Sequence, residues 1–162
     1  MMRQYDLLTI SAYKSYFQDI VARATFLNSF FYTYTQLTDA NRSTTAGTFL
    51  CLEPYENRIN GHRNDNIQGQ RKGLFVIAKS IKSHMDLDKA HAECELLAYK
   101  VVGQIKRDAR ERKLICEIDN FSGHGTDMIT ANNFAGYAIE FNFWAPINRF
   151  MTWEEEDWNE SE

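Results

Sequence analysis

The side chains best suited to chemistry in this sequence are four histidines, three cysteines and scattered carboxylates, and spacing decides what each can do. His91-Ala92-Glu93-Cys94 begins like the signature of the zinc nucleobase deaminases, in which a His ligand precedes the catalytic Glu by two residues. That chemistry needs two further thiolates in a Pro-Cys-x-x-Cys arrangement to close the metal site. Cys116 stands alone with no proline before it, and Glu93 is expected to face solvent from within a helix. His62, Asp65 and His84 have no spacing that requires them to meet, so they read as polar loop residues. Ser122-Gly123-His124-Gly125 lacks the frame of a nucleophile elbow, and it lacks the Lys and further Gly of a phosphate cradle. It reads as a flexible turn. No catalytic residue, metal or cofactor is expected.

Two other segments look made for contact. Phe150, Met151, Trp153 and Trp158 interleave with Glu154, Glu155, Glu156 and Asp157. Large aromatics flanked by charge are typical of segments that dock into a neighbouring subunit. The plainer reading folds Trp153 back on its own sheet, and both readings stay open. Residues 56–70, rich in Asn and Gly, read as a long exposed loop, and its tip (Asn60, His62, Arg63, Asn64) is a second candidate partner surface. The basic stretch from Lys106 to Lys113 reads first as a solvated helix end.

Composition bounds these readings. At 162 residues the chain fits one domain with one sizeable core, residues 1–150, followed by an acidic aromatic tail, residues 151–162. The hydrophobic fraction of 44% is globular, and no apolar run approaches the ~18–20 residues of a membrane span. Met1-Met2-Arg3-Gln4-Tyr5-Asp6 lacks the apolar core of a signal peptide, which points to a cytoplasmic protein. Cys51, Cys94 and Cys116, an odd set without close spacing, read as buried thiols and not as a disulfide framework. The net charge of −4 argues against a general nucleic-acid binder. That average hides an asymmetry, because six acids and no base fall in the last ten residues.

The elements that must position these side chains follow from periodicity. Residues 9–28 carry apolar side chains at steps of three and four, a helix stripe. Residues 30–35 are aromatic and β-branched and prefer a strand. Residues 48–52 form a short strand stopped by Pro54, and 73–81 a strand buried on both faces. Ser83 and Asp86 have capping-box spacing before a helix that runs to about Arg112, ~40 Å in length. Strands follow over 114–118 and 137–144; in the second, Tyr137, Ile139, Phe141 and Phe143 alternate with Ala138, Glu140, Asn142 and Trp144. Strands in consecutive groups predict an α+β fold, an antiparallel or mixed sheet with an N-terminal helix and one long helix packed across it.

This order of elements, with the closing segment Ala135-Gly136-Tyr137-Ala138-Ile139-Glu140-Phe141-Asn142-Phe143-Trp144-Ala145-Pro146 and a Trp downstream, resembles the tail-terminator and tail-completion (neck) proteins of tailed bacteriophages. The resemblance implies a structural virion protein, assembled in the host cytoplasm. Its subunits would form a homo-oligomeric ring that joins the tail tube to the head connector, with other tail or neck proteins as partners. Genomic DNA would pass through the lumen without sequence-specific binding, and no membrane, catalysis or cofactor would be involved. The alternative is a small soluble enzyme or a monomeric ligand-binding domain with a cleft at the sheet edge, using Glu53, His62 or Asp65.

Overall fold

The structure, a computed structural model, describes residues 4–39, 47–61, 67–128, 133–151 and 154. The architecture is α+β. Helix α1 (Ile10–Arg23) leads into β1 (Ser29–Tyr32), a short helix α2 (Thr33–Asp39), β2 (Thr48–Asn60) and β3 (Gln68–Ser80). The long helix α3 (Leu87–Arg110) then crosses to β4 (Glu117–Met128) and β5 (Phe134–Pro146). The five strands lie in the order β1-β2-β3-β5-β4. Among the described strands only β1 runs parallel to its neighbour, β2, so the sheet is mixed.

Strand alternation assigns the two faces. Phe75, Ile77, Ile139, Phe141 and Phe143 point towards α1 and α3, where Tyr13, Phe17, Ile20, Cys94, Ala98, Val101 and Ile105 meet them. The centre of this layer is aromatic, with Tyr13 stacked on Phe143 at 5.7 Å and Phe17 on Phe141 at 5.8 Å. Such pairs contribute about 0.5–1.5 kcal/mol each beyond their area. Phe141 finds room because Gly73 lies directly opposite it; a Cβ there would come within 2.4 Å of the ring. On the other face Leu37 of α2 covers Phe49, Cys51, Val76, Ala78, Phe134 and Ala138. The helices therefore do not all lie on one side. Towards the far end of the sheet this second face is polar.

Local chemistry sets the ends of the elements. Thr9 caps α1 by accepting from the Ala12 N–H at 3.2 Å. At the end of α3, Arg112 takes a left-handed φ of 56°, which lets the N–H of Lys113 reach Asp108 O at 2.8 Å and its own N–H reach Ala109 O at 3.1 Å. That is a Schellman closure without its usual glycine. At the other end, a 3₁₀ turn at His84–Asp86 precedes α3, and Ser83 makes no side-chain capping bond. The expected capping box is not formed.

Several expected boundaries move. The strand over 48–52 does not stop at Pro54; it passes through a bulge between Glu53 and Glu56, where a missing N–H costs no ladder bond. Residues 56–60 and 68–70, expected as loop, pair from Glu56↔Lys72 to Asn60↔Gln68, because a hairpin satisfies their backbone while polar side chains stay in water. Ser122 to Gly125 are strand, not turn, paired with β5 through Glu140, Ile139, Ala138 and Tyr137. The strand expected over 114–118 begins at Glu117; Leu114 makes only an isolated bridge to Tyr5. Finally, the strand expected over 30–35 ends at Tyr32, where Thr33 turns at φ 71° into α2.

Candidate assembly interface

The surfaces that could meet another molecule lie at the sheet margins and on α3. Strand β4 pairs only with β5, and its outer edge pairs with nothing among the described residues. From Glu117 to Met128 it carries three acids and no Lys, Arg or Pro, which are common guards of natural edge strands. A bulge between Asp119 and Ser122, with Asn120 at φ 55°, is its one local irregularity. The opposite margin is different. Strand β1 is four residues long and aromatic (Ser-Phe-Phe-Tyr), half-buried along its length.

Beside β4, the end of the sheet is apolar. Ile115 is 54% exposed and Trp144 is 40% exposed, and with Gln68, Glu117 and Pro146 they line one shallow depression. Just beyond Pro146, a 3₁₀ turn holds Phe150, half exposed, with the Arg149 guanidinium 4.7 Å from its ring centre; Met151 follows, also exposed. Arg149 in turn reaches Asp6 at 3.3 Å, which pins this turn to the N-terminal segment. Phe150 and Met151, both proposed contact residues, are thus solvent-facing, six and seven residues after Trp144.

The polar part of the second face is a grid fixed by register. Arg58, Gln70, Trp144 and Glu117 lie side by side across four strands, and Glu56, Lys72, Asn142 and Asp119 form the next row. A depression of about 360 Å³ opens over Glu56, Arg58, Gln70, Lys72, Asn142 and Trp144, and Lys72 on its lining pairs with Glu140 at 3.2 Å. Arg71, one residue out of phase, points inward and is buried. It donates to Leu7 O at 2.9 Å and to Asn57 Oδ1 at 3.2 Å, and its guanidinium lies 4.3 Å from the Tyr55 ring centre. Those contacts fasten the N-terminal segment to the bulged hairpin.

The remaining sequence candidates that lie among the described residues do not converge. His91 sits half-buried on α3, with Nε2 3.2 Å from Asp127 Oδ1 and 3.3 Å from Thr126 O, so it links α3 to β4. Glu93 does face solvent and pairs with Lys79, whose hydrogen bond holds its carboxyl below the usual range. Cys51, Cys94 and Cys116 are separately buried free thiols, as expected. Burial pushes the Cys51 thiol up to about 12 and those of Cys94 and Cys116 up to about 11. Glu53 is half-buried and accepts from the Tyr34 N–H at 2.7 Å; burial raises its carboxyl. His84 stands in the turn before α3 and His124 is exposed on β4. Among the described residues no three His, Cys, Asp or Glu side chains group to hold a metal ion. No described helix is long and apolar enough to cross a membrane.

Of the proposed contact residues, Asn60 ends β2 opposite Gln68, half-buried, and Glu154 is exposed. His62, Arg63, Asn64, Trp153, Glu155, Glu156, Asp157 and Trp158 lie outside the described residues, as does Asp65. Ile115 and the β4 edge were not singled out from sequence. Trp144 could have been, since it falls in the phase of β5 opposite Phe141 and Phe143. Compared with known proteins, the chain matches no protein-family model and no curated sequence.

Proposed function

We propose that the chain is a structural subunit that closes into a homo-oligomeric ring, of the kind that terminates a bacteriophage tail tube or joins it to the head connector. The observation that carries this reading is the pair of unlike sheet margins. One is the long acidic edge of β4, flanked by Ile115 and Trp144; the other is the short aromatic β1. A cyclic assembly joins each subunit head to tail, so it needs two different adhesive surfaces on opposite sides of one protomer. An open strand edge supplies main-chain hydrogen bonds, and exposed rings beside it supply affinity. The order of elements (N-terminal helix, hairpin, crossing helix, closing hairpin) supports the phage reading, because it is the order on which the resemblance rests.

Native mass measurement over a concentration series, alone and with tail-tube protein, tests the proposal. A discrete cyclic stoichiometry is expected. A strict monomer under all these conditions overturns it. The depression over Arg58, Gln70 and Trp144 favours a second reading, a monomeric ligand-binding domain. In that case ligand binding without any change of mass would be observed.

A further inference from the structure

One recess is built from both long helices. Between the end of α1 and the middle of α3, Ile20, Ala24, Phe26 and Val101 form an apolar floor of a pocket of about 200 Å³, with Arg23 and Lys100 at its rim. Its size is on the scale of a single large aromatic side chain. Lys100 leans on Phe26, 5.2 Å from the ring centre, and makes no ion pair among the described residues. From this rim an exposed flank continues along α3. Leu96 (64% exposed), Lys100, Gly103, Arg107 and Arg110 follow at helical spacing, and a Cβ at Gly103 would meet nothing within 4 Å.

This flank is basic. Residues 100–113 hold six cations and two acids; Asp108 is fully buried, and Glu111 pairs with Arg107 and Lys113, which leaves Lys100 and Arg110 without an ion pair among the described residues. Residues 152–162 hold the reverse, six acids and no cation, interleaved with Trp153 and Trp158. The lengths match as well. In extended chain the span from Trp153 to Asp157 is roughly 13 Å, while Lys100 to Arg110 rises roughly 15 Å along the helix.

We infer that the C-terminal tail of one subunit docks on α3 of the next, with Trp153 in the α1–α3 recess and Glu154 to Asp157 along Lys100, Arg107 and Arg110. The inference rests on the ring reading and names one of its junctions. An indole fills an apolar floor that is otherwise open to water, and carboxylates meet Lys100 and Arg110, which make no ion pair among the described residues, beside Arg107, whose Nε Glu111 holds at 2.8 Å. The ring gives the affinity; the charges set direction and salt dependence.

A complementation experiment tests it. One variant ends at Met151 and keeps the recess but has no tail. The other, Lys100→Glu with Arg110→Glu, keeps the tail but reverses the flank; neither residue makes an ion pair among the described contacts. Thr25→Trp, which fills the mouth of the recess without changing charge, guards against a folding defect in the double variant. Circular dichroism establishes that all are folded, and sedimentation at low and moderate salt reads assembly.

Each variant alone is expected to assemble at least tenfold more weakly than the full chain. An equimolar mixture of the truncated and charge-reversed chains should give dimers with one productive junction. If either variant forms the full assembly alone, the inference falls while the ring stands. Folded variants whose mixture stays monomeric place the tail on its own chain or elsewhere, and the inference also falls. A full chain that never assembles overturns the ring reading and this junction together.

Discussion

Tyr16 on α1 donates its hydroxyl hydrogen to Asp108 on α3 across 2.9 Å, although the two residues are 92 positions apart. Asp108 is fully buried, and its other oxygen accepts from Gln104 Nε2 at 2.9 Å. Arg23 at 3.7 Å and Lys113 at 3.9 Å supply positive charge from the half-exposed side. Burial and the neighbouring carboxylate raise the Tyr16 phenol, which therefore stays a donor. A charged group inside a core is tolerated when its lone pairs are met, and here the result is a latch that fixes α1 against α3.

Removing the carboxylate strands two donors at once. Asp108→Ala is expected to cost about 3 kcal/mol of folding stability, and Tyr16→Phe about 1 kcal/mol. In a urea titration of both single variants and the double variant, the two losses should be less than additive. Additive losses would mean that the pair does not act as one unit.

The thiols set an alkaline limit. Burial raises Cys51 to about 12, and Cys94 and Cys116 to about 11, from an ordinary value of 9.0. Between these values and the unfolded ones the folded chain holds more protons than the unfolded chain. Stability therefore falls as pH rises from about 9 towards 11–12 and is insensitive to these groups below about 8. Iodoacetamide at neutral pH should label none of the three in the folded protein and all three in denaturant. Rapid labelling of the native protein would contradict this.

Two glycines should answer to alanine with opposite signs. Gly103 lies exposed within α3 with open space where a Cβ would go, so Gly103→Ala should stabilise by about 0.5–1 kcal/mol. Gly136 lies where β5 closes on β3, and a Cβ there would come within 2.0 Å of Ile77 O and 2.7 Å of the Ala78 backbone. Backbone cannot step aside as a side chain can, and Gly136→Ala should cost about 3 kcal/mol. Thermal melts of the two variants decide the matter.

Trp144 separates assembly from folding. It is part-exposed on the polar face at the end of the sheet, so Trp144→Ala should change stability by no more than about 1 kcal/mol. If it is an interface anchor, assembly should weaken by about tenfold or more. Unchanged assembly in sedimentation would remove Trp144 from the interface.

Long periodic segments were the readable part of the sequence. The α3 stripe of Ala90, Cys94, Ala98, Val101 and Ile105 and the alternation through Ile139, Phe141 and Phe143 gave both elements, and the α+β class followed. Polar segments misled where tertiary pairing overrode composition. Asn57 and Gln70 look like loop residues, yet they sit in a hairpin whose ladder satisfies their backbone while their neighbours Tyr55 and Arg71 pack inward. Gly123 and Gly125 look like a turn, yet they leave space for Tyr137 and His91, whose rings lie where their Cβ atoms would be. The β4 edge has no local signal at all, because being outermost is a property of the whole sheet. The tail's charge and tryptophans were legible; the recess on α3 that could receive them arises only when α1 folds across it.

The strand order also fixes a timetable for synthesis. Strands β2 and β3 are made together, but the far side of β3 must wait for β5, and the two meet over the whole length from Ser80↔Phe134 to Gln68↔Pro146. Between Ser80 and Phe134 the ribosome adds the whole of α3 and β4. At about 5–20 residues per second that leaves the Leu74-Phe75-Val76-Ile77-Ala78 edge uncovered for on the order of 3–10 s. For that interval a nascent chain offers neighbouring nascent chains a bare apolar strand, so yield in the cell should depend on translation rate and on chaperones that shield extended segments, even where the finished fold is stable.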